Sequence, residues 1–412
     1  MLKYSPTAGA VVLALLVSSS LLRAQEARTD QGSQPATVES RADQPATPAP
    51  GQATDQPTRV EKIRLYVKNN PIVQRLQDDE GFYPRIGGLN HGSGFAAGGG
   101  YRRHLGWVYA DVSGAVSTKV YLGVDAKARW VQTGNKTFEV WTEFTYRDDT
   151  KDPFYGLGLS TPPASSVDYA IATTDFIARA VGRVRPWFRV GADIGYFSPE
   201  IRRGRDQRIP SIEQVFTDVA APGLARQPNF LHDSVFAEID SRDAPGFPHR
   251  GGLYRTEYSL WNDRSFDQYD FRRFDIEGSQ FFGVAPKDVI AVRLSLSYTN
   301  NAPGSRVPFY LLPFAGGGDT LRAFREFRFR DENAGVFNLE FRHLVHPMVH
   351  LAAFVDAGKV AHDWQDINPT DLKTSYGIGI RAGSTKRIFF RLDAASGGDE
   401  GARVFVKFTP AF

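Results

Sequence analysis

From Phe82 to its last residue the chain is written in a two-residue period. In Val120-Leu122-Val124-Ala126-Ala128-Trp130 one face is apolar, and Lys119, Asp125, Lys127 and Arg129 charge the other. Phe138, Val140, Thr142, Phe144 and Tyr146 alternate with Glu139, Glu143 and Arg147. Val184, Phe188, Val190, Ala192, Ile194 and Tyr196 alternate with Arg183, Arg185, Arg189 and Asp193. The pattern returns at Ile290–Tyr298 around Arg293, and at Ile388–Ala394 around Arg391 and Asp393. Such alternation predicts β-strands with two unlike faces. Length narrows the fold further. Strands of soluble proteins run about 5–6 residues, whereas a strand that crosses a bilayer needs about 9–11, and these segments are of the second kind. Charges in mid-strand would meet water on a β-sandwich or propeller, and would line a polar lumen in a transmembrane barrel. Alternation alone leaves both open; length favours the barrel.

The chain has 412 residues, no cysteine and a formal net charge of +3. Disulfides and thiolate metal sites are therefore excluded, and no cofactor is expected. Basic residues are scattered singly, so nothing demands nucleic acid. Beyond the N-terminus no apolar run approaches the ~18 residues of a membrane helix. The 13% aromatic content and 39 glycines suit a barrel with aromatic girdles, and also a soluble β-protein.

The N-terminus predicts the compartment. Lys3, the apolar run Ala8–Leu22 and the small residue Ala24 have the layout of a secretory signal peptide, expected over 1–24 and cleaved on export. A retained anchor helix is the alternative. Residues 25–58, rich in Gln, Ala, Pro and Thr, cannot bury a core and are expected to be a disordered periplasmic linker. A short segment follows at 59–81, and then the barrel over 82–412 in the outer membrane. About 55 residues separate the signal peptide from the barrel, which predicts no further periplasmic domain.

The chain stops on a strand, Arg403 to Phe412, with Val404, Val406, Phe408 and Phe412 on one parity. Bacterial barrels commonly end on such an aromatic, and by that likeness Phe408 and Phe412 are expected to be the barrel assembly signal. Connections divide into tight turns, such as His346-Pro347, and long polar stretches at 148–167, 198–232, 301–335 and 359–373. Short turns on one rim and long loops on the other is the outer-membrane arrangement. Alternating segments give roughly 14–16 strands.

Three late segments carry a family likeness: Gly316-Gly317-Gly318-Asp319-Thr320-Leu321-Arg322-Ala323-Phe324-Arg325, Asn338-Leu339-Glu340-Phe341-Arg342, and Phe354-Val355-Asp356-Ala357-Gly358-Lys359-Val360. With the upstream Asp240-Ser241-Arg242-Asp243 and Phe247-Pro248-His249-Arg250-Gly251, they resemble the BamA/TamA outer-membrane protein family, the bacterial surface antigen family. The likeness implies an all-β, 16-stranded antiparallel barrel with a long loop folded into its lumen. It implies that the loop-tip motif Leu321, Arg322, Ala323 and Phe324 places Arg322 against the acidic partners Glu340 and Asp356. Strand parity agrees, since Glu340 lies opposite Leu339 and Phe341, and Asp356 opposite Val355. An arginine in a partly dehydrated lumen needs carboxylates; the alternative is three separately solvated charges. The family's motif glycine is Ala323 here, a strained choice if that position requires positive φ.

Chemistry elsewhere is thinly signalled. His343, His346 and His350 fall on mixed parities around a turn, poor geometry for a metal. Gly92-Ser93-Gly94 and Gly98-Gly99-Gly100 lack the frame of a phosphate loop or a nucleophile elbow, and predict bending or close packing instead. Ser211, His232 and Asp233 could in principle form a hydrolase set, though their spacing gives no support. Arg183, Arg185, Arg189, Arg202, Arg203 and Arg205, read as lumen residues, would favour anions or lipopolysaccharide. The expectation is a non-enzymatic, plugged barrel with an accessory role in outer-membrane biogenesis or in protein or lipid translocation. Its partners would be outer-membrane lipids, the barrel assembly machinery, and a periplasmic or secreted client. The alternatives are a passive small-solute porin and an outer-membrane hydrolase.

Overall fold

The computed structural model describes residues 80–130, 137–346, 348–384 and 387–408. The expected signal peptide, the linker, nearly all of the 59–81 segment and Phe412 lie outside them.

Eighteen strands follow in chain order: β1 (Gly81–Gly87), β2 (Ala96–Leu105), β3 (Val108–Ser117), β4 (Leu122–Trp130), β5 (Phe138–Phe154), β6 (Val167–Arg185), β7 (Phe188–Arg203), β8 (Phe230–Asp240), β9 (Gly251–Asp263), β10 (Phe271–Ala285), β11 (Asp288–Asn301), β12 (Phe314–Ala315), β13 (Phe329–Arg330), β14 (Asn333–His346), β15 (Val349–Ala361), β16 (Lys373–Ser384), β17 (Arg387–Ser396) and β18 (Ala402–Lys407). Among the described residues sixteen of them form one antiparallel sheet in which each pairs with the next along the chain, β11 passing over β12 and β13 to β14; β12 and β13 form a two-residue ladder of their own. The sheet is a nearly closed barrel. Among the described residues β1 and β18 do not pair, and the ends meet instead through the rings of Phe95 and Phe408, 5.4 Å apart.

The two-residue period sets the faces. On β14, Asn338, Glu340 and Arg342 are buried while Phe337, Leu339 and Phe341 are exposed; on β15, Phe354 and Asp356 are buried while Leu351 and Val355 are exposed. The wall is thus apolar outside and polar inside, the inverse of a soluble core. Trp107 and Trp187 stand exposed at the short turns β2–β3 and β6–β7, as aromatic girdle residues do.

Proline marks where the sheet has an edge. Pro84 lies on β1, Pro153 on β5 beyond the last β4 pair at Asp148, and Pro199 on β7 beyond the last β8 pair at Phe197. At each position one side of the ladder has ended, so no donor is missed. At Gly100 the partner Tyr83 lays its ring where a Cβ would stand, 2.4 Å from its Cζ. The glycine run therefore serves close packing.

Short turns and long connections fall on opposite rims. The long ones are shorter than expected, at 155–166, 204–229, 302–332 and 362–372, because strands run on into them. β6 has 19 residues, about 60 Å at ~3.3 Å per residue, against ~30 Å of hydrocarbon. The excess rises above the loop rim and frames an apolar cap around Phe154, Tyr169, Phe230, Phe271 and Phe309.

Candidate functional site

Residues 302–332 leave β11 and return to β14, and between those ends their tip meets inward-facing side chains of the barrel wall. Arg322 is 2% exposed, and Glu340 and Asp356 are fully buried. Its Nη2 lies 2.6 Å from Asp356 Oδ1, its Nε 3.0 Å from Asp356 Oδ2, and its Nη1 2.8 Å from Glu340 Oε2. Its backbone amide also donates to Asp356 Oδ2, at 3.1 Å. The guanidinium carbon sits 3.4 Å from the centroid of the Phe354 ring, which fills its remaining face.

Each carboxylate is itself held. Asp356 accepts from Asn338 Nδ2 at 2.8 Å and Ser375 Oγ at 2.7 Å; Asn338 also donates to the Thr320 carbonyl of the loop, at 2.8 Å. Glu340 accepts from Arg342 Nε at 2.8 Å and Arg381 Nη2 at 2.7 Å. Arg381 continues to Asp393 at 2.6 Å, and Asp393 lies 3.2 Å from Arg391 Nε. Arg391 donates to Asp319 at 3.0 Å, and Asp319 also takes Lys407 Nζ at 2.6 Å and faces His91 Nδ1 at 3.2 Å. Lys407 lies 3.6 Å from Glu326. Arg322, Arg342, Arg381, Arg391 and Lys407 thus face Asp319, Glu326, Glu340, Asp356 and Asp393, five charges against five. Burying ions is costly unless each is paired and hydrogen-bonded, and this balance lets nearly dry charges persist.

Asp319 sits outside the strands. Burial alone would raise its carboxyl, but the His91 hydrogen bond and the Arg391 and Lys407 charges hold it well below the usual carboxylate range. Through it the loop touches β17, β18 and the β1–β2 connection at once.

Glycines make room for side chains in the loop and in the wall. A Cβ on Gly317 (φ 103°) would stand 1.9 Å from Glu326 Oε2, and one on Gly379 would stand 2.2 Å from Asp393 Oδ1. Leu321, Ala323 and Phe324 are buried in one apolar cluster with Phe354, and Phe324 meets Phe329 edge-on at 5.2 Å. Ala323 does not have positive φ, so its methyl carries no backbone strain; the left-handed non-glycine residue of the loop is Phe327, φ 58°. Further up, Arg328 fastens the loop to Thr161 Oγ1 at 2.8 Å and Glu400 Oε1 at 2.5 Å.

Open spaces remain in the lumen. One of about 520 Å³ lies beside the loop, bordered by His91, Arg293, Phe327 and Arg330. Others, of about 410 Å³ around Arg85 and Asp125 and about 230 Å³ around Arg183 and Glu238, lie toward the short-turn rim.

Phe408 contacts Phe95 and, at 6.1 Å, Phe390. The structure does not bring the other sequence candidates together. His343 pairs with Asp288 at 2.6 Å, while His350 stacks on Phe247 at 4.3 Å. Ser211 bonds Glu213, while His232 bonds Asp175 at 3.0 Å and stacks on Trp261. The six arginines do not make one lumen stripe. Arg183 and Arg189 face Glu139 and Glu238 inside, but Arg202 has outward parity and pairs with Asp148, because it sits an odd number of residues from Arg189 on the same strand. Of the residues that complete this network, Arg391 and Asp393 stand on the charged parity of Ile388–Ala394 and Asp319 stands in the loop motif, whereas Arg381 is absent from the sequence reading.

Residues 234–400 match the Omp85 superfamily domain. The fold resembles BamA from Haemophilus ducreyi lacking POTRA domains 1–3, with a TM-score of 0.61 and 18% identity over 80% of this chain and 69% of that one. It also resembles CdiB from Escherichia coli, with a TM-score of 0.51 and 12% identity over 79% of this chain and 61% of that one. No curated protein matches in sequence. At these identities the structural likeness is one of fold.

Proposed function

From the Omp85 superfamily domain that the chain carries over residues 234–400, we propose that it is an outer-membrane β-barrel of the surface antigen type, plugged by its own 302–332 loop. Its role is an accessory one in outer-membrane biogenesis or in protein or lipid translocation. The observation that carries this reading is Arg322 in the lumen, bound to both Glu340 and Asp356. A loop bound by buried ion pairs is a fixed part of the lumen, whereas a passive pore needs a continuous water path. On this reading the apolar outer face meets lipid, and export uses a signal peptide at the N-terminus. Phe408 and Phe412 present the C-terminal aromatic to the barrel assembly machinery, and a periplasmic or secreted client engages the finished barrel.

Planar-bilayer recording of the purified protein tests it. The plugged barrel gives small, flickering conductance, and Arg322→Ala with Asp356→Ala converts it to larger steps. Large steady channels from the unaltered protein would overturn the plug and favour a porin.

A further inference from the structure

At the loop rim the barrel wall parts. The β11–β14 ladder ends at Ser297 and Ala334, while β11 stays paired with β10 as far as Asn301 and β14 with β15 from Asn333. Above that point side chains bridge the split. The Thr299 amide donates to Asn333 Oδ1 at 3.1 Å, and Asn301 Nδ2 donates to Glu332 Oε1 at 2.7 Å.

Outside the split, the 362–372 connection lies against the outer face of the wall. Ile367 is seated on Gly335, where a Cβ would stand 2.9 Å from its Cγ2, and Trp364 meets Tyr298 edge-on at 5.4 Å. Between connection and wall is a groove of about 480 Å³, floored by Phe274, Ile276, Leu296 and Tyr298. The floor belongs to the outward apolar parity of β10 and β11, so the groove continues the lipid-facing surface. Its upper rim carries Glu332, His362 and Asp363 among amides, and among the described residues no Lys or Arg lines it. Burial pushes the Glu332 carboxyl above its usual range, and His362 Nδ1 lies 3.6 Å from it. An added cation would lower that cost.

We propose that this groove binds one lipid, its acyl chain along the aromatic floor and its amine-bearing headgroup against Glu332 and Asp363. The proposal rests on the reading of the chain as a membrane barrel. Trp364 and Tyr298 offer the amphipathic rings that favour a membrane interface. A headgroup with only negative charge would meet two carboxylates, with the His362 imidazole already turned toward Glu332.

Native mass spectrometry of the full-length protein, delipidated in detergent and titrated with phosphatidylethanolamine or phosphatidylglycerol, provides the test. Phosphatidylethanolamine adducts are expected to outlast phosphatidylglycerol adducts. Glu332→Gln should weaken phosphatidylethanolamine retention about tenfold, the contribution of one charge-assisted hydrogen bond. Trp364→Ala should weaken both lipids, and Ile194→Ala, at a distant outward position, neither. Equal retention of the two lipids, or retention unchanged by Glu332→Gln, overturns the groove alone. Loss of heat-modifiable gel mobility in the unaltered protein would overturn the barrel reading and the groove with it.

Discussion

Arg322 presents both its backbone amide and its guanidinium to the one carboxylate of Asp356. The contact therefore fixes the loop backbone as well as the side chain. Removing Arg322 leaves Asp356 buried without a cation, at a cost of about 3–5 kcal/mol, and removing Asp356 leaves Arg322 with Glu340 as its nearest carboxylate. Arg322→Ala and Asp356→Ala should each expose 302–332 to protease and lower the temperature of the heat-modifiable gel shift. The double variant should cost less than the sum of the two. Arg322→Lys should not restore protection, because a point ammonium cannot serve Asp356 and Glu340 in one plane. An unchanged protease pattern in both single variants would refute the lock.

Gly317→Ala tests how closely the loop is packed. The new methyl would stand 1.9 Å from Glu326 Oε2 on a backbone of φ 103°. Strain of this kind costs about 1–3 kcal/mol. The expected result is faster cleavage within 302–332 with the barrel's gel mobility retained. Gly304→Ala, also at positive φ but in open space, should do less.

Acid should reach the Asp319 contact late. Its carboxyl is held below the ordinary value of 3.8, so the folded state binds its proton more weakly than the unfolded chain does. The stabilisation is then fully present above that ordinary value and is lost as pH falls through the lower folded one. Loop protection should stay constant from pH 7 to about pH 5 and decline only in stronger acid. In Asp319→Asn this part of the acid dependence should vanish. A decline centred near neutral pH would show that another group governs the contact.

Phe247 lies at the opposite, short-turn end. It sits in the β8–β9 connection and stacks on His350 of β15 at 4.3 Å. Phe247→Ala should cost about 0.5–1.5 kcal/mol beyond the lost buried area. It should raise conductance slightly while leaving 302–332 protected, since the Arg322 contacts lie elsewhere.

Parity made the barrel legible from sequence. Which side chains face inward follows from counting by two, and that placed Glu340 and Asp356 on the lumen side. Parity does not say which inward side chains meet, because that depends on strand tilt and register. Arg381 of β16 therefore reaches Glu340 of β14 across β15, a contact no single strand's pattern contains. The His91–Asp319 contact joins residues far apart in the chain, so local reasoning had no access to it. Loop lengths were overestimated because polar residues such as Asp148, Asp149 and Ser198 read as loop but lie on extended strands.

The neighbour-only strand order also has a kinetic side. Each hairpin of the wall can close on contacts a few tens of residues apart at most, whereas Arg328 must find Thr161 across 167 positions and Lys407 must find Asp319 across 88. Chain closure over such spans is slow to become favourable. These two distant contacts therefore form after the wall, and their loss accelerates unfolding far more than it slows assembly.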